Sequence, residues 1–182
     1  SIEALNIATT SIVERLSDPE RQNIYPARGL VVGYVQSGKT ANFTAVTAKA
    51  ADAGYRLIII LAGTLNVLRS QTQRRIDKEL VGRELLEASG TNEYEEDRDW
   101  PDKFVSFGAL PSELGYFDWA RLTDSDADYR SLHHGIESLS FEKTYNDRRF
   151  NDLGNLHPAK ARVIVIKKIP SVMKKLNADL SR

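Results

Sequence analysis

The stretch Gly33-Tyr34-Val35-Gln36-Ser37-Gly38-Lys39-Thr40 constrains this chain more than any other, because it meets G-x-x-x-x-G-K-[ST] at every fixed position. Each fixed residue answers a physical need. Gly33 and Gly38 let the backbone turn successive N–H groups inward around a phosphate. Lys39 sets an ammonium against β- and γ-phosphate oxygens, and Thr40 offers a hydroxyl to Mg²⁺. A helix opening near Lys39 adds its partial positive charge. The flanks suit this reading. Leu30–Val32 is an apolar run that predicts a strand, and Ala41–Ala53 predicts a helix with Phe43, Val46 and Ala50 on one face. The expected ligands of a nucleoside triphosphate, ATP, are thus Gly33, Gln36, Ser37, Gly38, Lys39 and Thr40. Lys39 is the expected catalytic cation and Thr40 the Mg²⁺ ligand.

Beyond the loop the chain alternates between strand and helix patterns. Tyr55–Ala62 carries LIIIL, the composition of a parallel strand buried on both faces. Arg69–Glu87 predicts one long charged helix, Phe104–Phe107 a third strand, and Ala161–Ile166 a further one. Pro170 sits where a helix over SVMKKLNADL would begin. Ahead of all this, residues 2–16 have helical spacing that Asp18-Pro19 ends. The expectation is an α/β, three-layer P-loop NTPase of RecA-like, superfamily 2 helicase-like type with a mostly parallel sheet. It has an N-terminal helix and linker over residues 1–24 and the NTPase domain over 25–182, with an irregular insertion over about 89–160.

Composition narrows the partners little. Lysine plus arginine equals aspartate plus glutamate at 25 each, so any electrostatic argument has to be local. Cysteine is absent, which rules out disulfides and thiolate metal sites and suits a reducing cytoplasm. The N-terminus lacks a basic region followed by an apolar core, and the longest aliphatic run, Leu57–Ala62, is far too short to span a bilayer. A cytoplasmic chain with no membrane partner is expected.

Two local patterns suggest contact with a nucleic acid. After the LIIIL strand come Ala62-Gly63-Thr64 and a helix bearing Arg69, Gln71, Arg74 and Arg75. This turn and helix resemble motif Ia of superfamily 2 helicases, which implies that Thr64, Arg69, Gln71 and Arg74 meet the phosphates of a bound strand. Ligands of open α/β sheets do bind beyond the carboxyl ends of the strands, where Arg69, Arg74 and Arg75 would supply charge. From Lys160 to Arg182 there are seven basic residues against one acidic, and Lys167 and Lys168 follow the last strand at the same edge. The alternative is a solvated basic helix face. Other constellations are weaker. Asp124-Ser-Asp126-Ala-Asp128 starts like a calcium loop, but Tyr129 stands where glycine is needed. The acidic run Glu93, Glu95, Glu96, Asp97 and Asp99 reads as a solvated loop, and His133, His134 and His157 lack zinc-site spacing.

The segments SIEALNIATTSIVERLSDPE, GLVVGYVQSGKTANFTAVTAKAADAGYRLIIILAGTLNVLRSQTQRRIDKELVG and ARVIVIKKIPSVMKKLNADL together resemble the amino-terminal part of the Z-one domain family, with VQSGKTANFTA joined to LRSQTQRR as the most specific part. That family groups bacterial proteins described as endonucleases with a helicase-like P-loop ATPase core, from restriction-type defence clusters. The similar pieces span about half of the chain, and residues 90–160 match only loosely. The resemblance implies ATP binding and hydrolysis coupled to work on DNA, with defence-system proteins as partners. No residue set here forms a nuclease centre.

One expected part is missing. An NTPase needs an acidic residue after an apolar strand to hold Mg²⁺ and orient water. LIIIL runs into Ala-Gly, FVSF into Gly-Ala and VIVI into Lys-Lys. In families of this kind the acidic box follows the segment resembling VIVIKKIPSVMKKLNADL. The expectation is therefore a nucleotide-binding front part, inactive without the remainder of the same protein. An unprotected edge at Leu30–Val32 would invite dimerisation. Two alternatives stay open: a P-loop small-molecule or nucleotide kinase, and a nucleotide-gated interaction module without catalysis.

Overall fold

The two most apolar runs of the chain lie side by side. In the computed structural model Leu57–Leu61 (β1) pairs in parallel with Lys160–Ile166 (β3), Ile59 opposite Ile164. Asp118–Arg121 (β2) pairs in parallel with the other edge of β3, giving the order β1-β3-β2. The described residues are 2–23, 25–32, 39–90, 93–114, 118–126 and 160–181. They fall into two compact units, Ser1–Tyr55 and Arg56–Arg182.

In the second unit the core forms around β3. Ala161 to Ile166 are all buried, so both faces of this strand are covered. Successive side chains point to opposite faces. On one face Ile164 and Ile166 pack with Leu176 and Val172 of helix α6 (Pro170–Leu180), and with Leu57 and Ile59. Removing a large aliphatic side chain of this kind from water contributes about 1.5–3 kcal/mol. Chain segments between the strands supply helices α3 (Asn66–Ile76), α4 (Arg83–Ala88) and α5 (Trp100–Lys103). The structure is mixed α/β with a small parallel sheet.

In the first unit α1 (Ile2–Val13) packs against α2 (Lys39–Asp52). Lys49 Nζ donates to the Asn6 carbonyl at 2.8 Å, to Asn6 Oδ1 at 2.7 Å and to Thr10 Oγ1. Tyr55 closes the unit by donating its hydroxyl to the Ser17 carbonyl.

Three expectations from periodicity are corrected. Leu30–Val32 is irregular and exposed, with Leu30 at 87% and Val32 at 85%, so the strand leading into the glycine-rich stretch is not formed. Three apolar residues make too few ladder hydrogen bonds to hold a strand without a neighbour. Phe104–Phe107 is not a strand either. Val105 N–H donates to the Lys78 carbonyl, and its own carbonyl accepts from Arg83 N–H, so these groups are spent on neighbouring turns. Phe104 instead joins an aromatic cluster with Tyr94 and Trp100, centroids 5.1 and 5.0 Å away. The long helix over Arg69–Glu87 is broken. After α3 a π-helical turn runs from Asp77 to Val81, closed by Gly82 N–H on the Asp77 carbonyl at 2.9 Å.

Gly82 is what permits the break. Its φ is +86°, and a Cβ there would stand 2.8 Å from Phe107 Cε2 and 2.9 Å from the Val105 carbonyl oxygen. Gly82→Ala is therefore expected to lower stability by at least ~1–3 kcal/mol in urea unfolding. An unchanged midpoint would show that the turn tolerates a side chain.

Candidate functional site

The carboxyl edge of the β1/β3 pair gathers several of the residues singled out from sequence. Ala62 N–H donates to the Ile166 carbonyl at 2.8 Å, and Lys168 N–H donates to the Gly63 carbonyl at 2.6 Å. Pairing thus continues past both strand ends, which brings the Gly63-Thr64 turn beside Lys167-Lys168. Gly63 makes the turn with φ +80°, and Leu68 packs where a Cβ would project, its Cδ1 3.1 Å away. Thr64, Gln71 and Lys168 are exposed and Lys167 is half-buried. Both helices leaving this edge, α3 at Asn66 and α6 at Pro170, start without a side-chain cap. Their first-turn amides carry partial positive charge toward the same side as the lysines. Such an edge can accept an anion.

Two arginines expected at this edge are engaged elsewhere. Arg69 is only 1% exposed. Its Nη1 donates to the Asp124 carbonyl at 2.7 Å and its Nη2 to the Ser125 carbonyl at 2.6 Å, while Ser70 Oγ adds a bond to Ser125. The helix turns this residue inward, where it grips the segment leaving β2. Arg74 is paired with Asp97 and Asp99, at 2.7 Å from Nη2 to each. The hydrogen bonds that it donates to Asp97 and then to Asp99 raise its pKa further, and its charge is already compensated. In the acidic run Glu95 and Glu96 are exposed as a solvated loop requires, whereas Glu93, Asp97 and Asp99 are held in ion pairs. Asp99 also takes Lys78 at 2.9 Å and Lys103 at 2.8 Å.

The glycine-rich stretch is placed in part. Gly33–Gly38, with Gln36 and Ser37, lie outside the described residues, as do Asp128, His133, His134 and His157. Lys39 and Thr40 are the first two residues of α2, the position the motif requires of them. Thr40 is exposed there.

Sequence reasoning missed a polar cluster buried between α3, the π turn and β2. Asp77 is fully buried. Its carboxylate accepts from Gln73 Nε2 at 3.0 Å, Tyr94 hydroxyl at 2.7 Å and Arg121 Nη1 at 2.8 Å. Arg121 Nη2 also donates to Glu93 at 2.6 Å. Thr123 Oγ1 donates to Gln73 Oε1 at 2.7 Å and accepts from Val165 N–H at 2.9 Å, so the cluster is tied to the central strand. Burial works against the charge of Glu93, but Arg121 and Ser125 outweigh it and hold its pKa below the usual range. No single-sequence signal marks these residues, because partners such as Gln73 and Thr123 are far apart in the chain and each alone reads as a surface residue.

No protein-family model matches the chain, and neither a curated protein nor a solved structure matches it. Among the described residues no group of three or more histidines, aspartates or glutamates is placed to hold a metal ion. No helix among them is long and apolar enough to cross a membrane.

Removing Arg69 leaves the Asp124 and Ser125 carbonyls without these donors. Arg69→Ala is expected to lower stability by about 2–4 kcal/mol, whereas Lys168→Ala should change it by less than ~0.5 kcal/mol. Equal, small losses in chemical denaturation would remove Arg69 from its structural role.

Proposed function

We propose that this chain is the ATP-binding portion of a P-loop NTPase that acts on DNA, as in a helicase-like ATPase or endonuclease of a prokaryotic restriction-type defence system, working in the cytoplasm. The observation that carries the reading is the match to G-x-x-x-x-G-K-[ST] whose Lys39 and Thr40 open helix α2. First-turn amides, an ammonium and an exposed hydroxyl at one helix start are a donor set suited to a triphosphate with Mg²⁺. Lys39 would neutralise β- and γ-phosphate charge and Thr40 would take the metal. When bound, the Mg²⁺–ATP pair supplies the phosphoanhydride bond whose cleavage such proteins use.

The DNA part of the reading rests on the carboxyl edge. Thr64, Gln71, Lys167 and Lys168 are the residues proposed to meet a phosphate backbone, helped by the uncapped starts of α3 and α6. Arg69 and Arg74 leave the proposal, since one is buried and the other ion-paired. The resemblance to the Z-one domain family in SIEALNIATTSIVERLSDPE, VQSGKTANFTA, LRSQTQRR and ARVIVIKKIPSVMKKLNADL supports the same assignment. Defence-system proteins and further parts of the same protein are its proposed partners.

Calorimetry with MgATP tests the nucleotide site. Binding by the native chain should be abolished in Lys39→Ala, and equal affinity would end the phosphate-loop assignment. For the DNA edge, log affinity should fall linearly with log salt concentration. Replacing both Lys167 and Lys168 by alanine should make that slope shallower by about 2, near one per lost phosphate contact. A slope indifferent to both lysines would move any DNA path elsewhere.

A further inference from the structure

The sheet ends in two unlike edges. β2 is short and carries Asp118 and Arg121, charged residues of the kind that discourage an edge strand from pairing with another chain. β1 has no such guard. Leu57-Ile58-Ile59-Ile60-Leu61 contains no charge and no proline, and it pairs residue for residue with β3 without a bulge.

The ladder fixes which groups of β1 are already spent. Arg162 N–H donates to the Arg56 carbonyl and Ala62 N–H to the Ile166 carbonyl, at 2.8 Å each. Bonding residues alternate along a strand paired in parallel, so residues 56, 58, 60 and 62 face β3. Leu57, Ile59 and Leu61 turn their N–H and C=O groups outward, where no hydrogen bond among the described residues meets them. Their side chains share the face of the sheet that holds Ile164, Ile166 and α6. Along that face runs an apolar groove lined by Ile59, Leu61, Ile166, Met173, Leu176 and Leu180. Its rim is open to water, with Leu61 42%, Met173 39% and Leu180 40% exposed.

We propose that the outer edge of β1 is a self-association surface, where a second copy of this chain adds its own β1 antiparallel about a twofold axis at Ile59. LIIIL reads the same in both directions. That register therefore sets Ile59 against Ile59, Leu57 against Leu61 and Ile58 against Ile60 of the second copy, aliphatic against aliphatic along the whole strand. The outward-facing residues oppose one another, so each such pair exchanges both of its N–H···O bonds and no free group of the edge is left over. Charge agrees with the pairing, because Arg56 falls opposite Ala62 of the second copy and no like charges meet. The axis stands perpendicular to the sheet, so the two α6 grooves lie on one face and join across it.

A contact of this isologous kind closes on itself and stops at two copies. Five paired residues span only about 17 Å. The area buried is thus at or below the roughly 1,200 Å² of stable complexes, which makes the dimer weak and reversible. Antiparallel pairing also sends the two carboxyl edges to opposite ends of the joined sheet. Each Gly63-Thr64 turn and Lys167-Lys168 pair stays clear of the other copy.

Sedimentation of the whole chain, without nucleotide or DNA, tests the proposal. The average mass should rise from one chain toward two between about 10 µM and about 1 mM. Leu61→Lys, at an exposed position, should hold it at one chain by charging the pairing edge. Cross-linking reads the register, since the chain has no cysteine of its own. Ile59→Cys should oxidise to a covalent dimer, its two Cα atoms lying about 5.5 Å apart across the axis. Ile60→Cys should not, because its counterpart lies on the diagonal, more than about 7 Å away. A native chain that stays single throughout overturns the proposal and leaves the edge to a different partner. A dimer that survives Leu61→Lys, or equal cross-linking at positions 59 and 60, overturns it as well. Should a variant fail to fold, hydrogen exchange of the native chain decides. Protection of the Ile59 and Leu61 amides that grows with protein concentration supports the dimer, and protection independent of concentration ends it.

Discussion

The pairing of β3 along both edges is the constraint from which the rest of the second unit follows. KARVIVI is buried from Ala161 to Ile166 and takes β1 on one side and β2 on the other. A buried strand must satisfy its backbone groups through neighbours, and parallel neighbours require long connections that return to the same end. Those connections carry α3, the π turn and α4. Their start and end points place the Gly63-Thr64 turn and Lys167-Lys168 at one edge, where the pairing extends beyond the strands.

The polar interior is the second organising element. Arg69, Gln73 and Asp77 lie along one stretch of helix at four-residue spacing, so they share one face. That face meets β2 and the segment after it. Charged groups are buried here because each has hydrogen-bonded partners, and a buried charge without them would be prohibitively costly. The arrangement specifies one placement for residues 123–126, which an apolar contact would not do with the same directionality.

How much of this was legible in the chain varied by element for physical reasons. The helices α1, α2 and α6 and the strands β1 and β3 were readable because apolar spacing, glycine and proline each act locally. The motif at Gly33–Thr40 was readable because phosphate chemistry demands particular residues at fixed intervals, and Lys39 does open a helix. Leu30–Val32 and Phe104–Phe107 look like strands by composition, yet a strand exists only when another chain segment takes its hydrogen bonds. β2 escaped notice for the converse reason: Asp118-Trp-Ala-Arg121 shows neither the alternation nor the apolar character of a strand, and its pairing with β3 decides the matter.

The same division holds for the arginines and acids. Sequence alone determined that Lys39 and Thr40 belong to a phosphate-loop pattern, that β1 and β3 are strands, and that basic residues follow the last one. The expected burial of both faces holds for β3 and not for the edge strand β1, where Leu61 is exposed. Only the tertiary structure decided which charges face water. Arg69 and Glu93 turned inward, Arg74 was taken by Asp97 and Asp99, and Thr64 and Lys168 were left exposed at one edge. A charged side chain's solvation depends on neighbours far away in the chain, and local spacing carries no information about them.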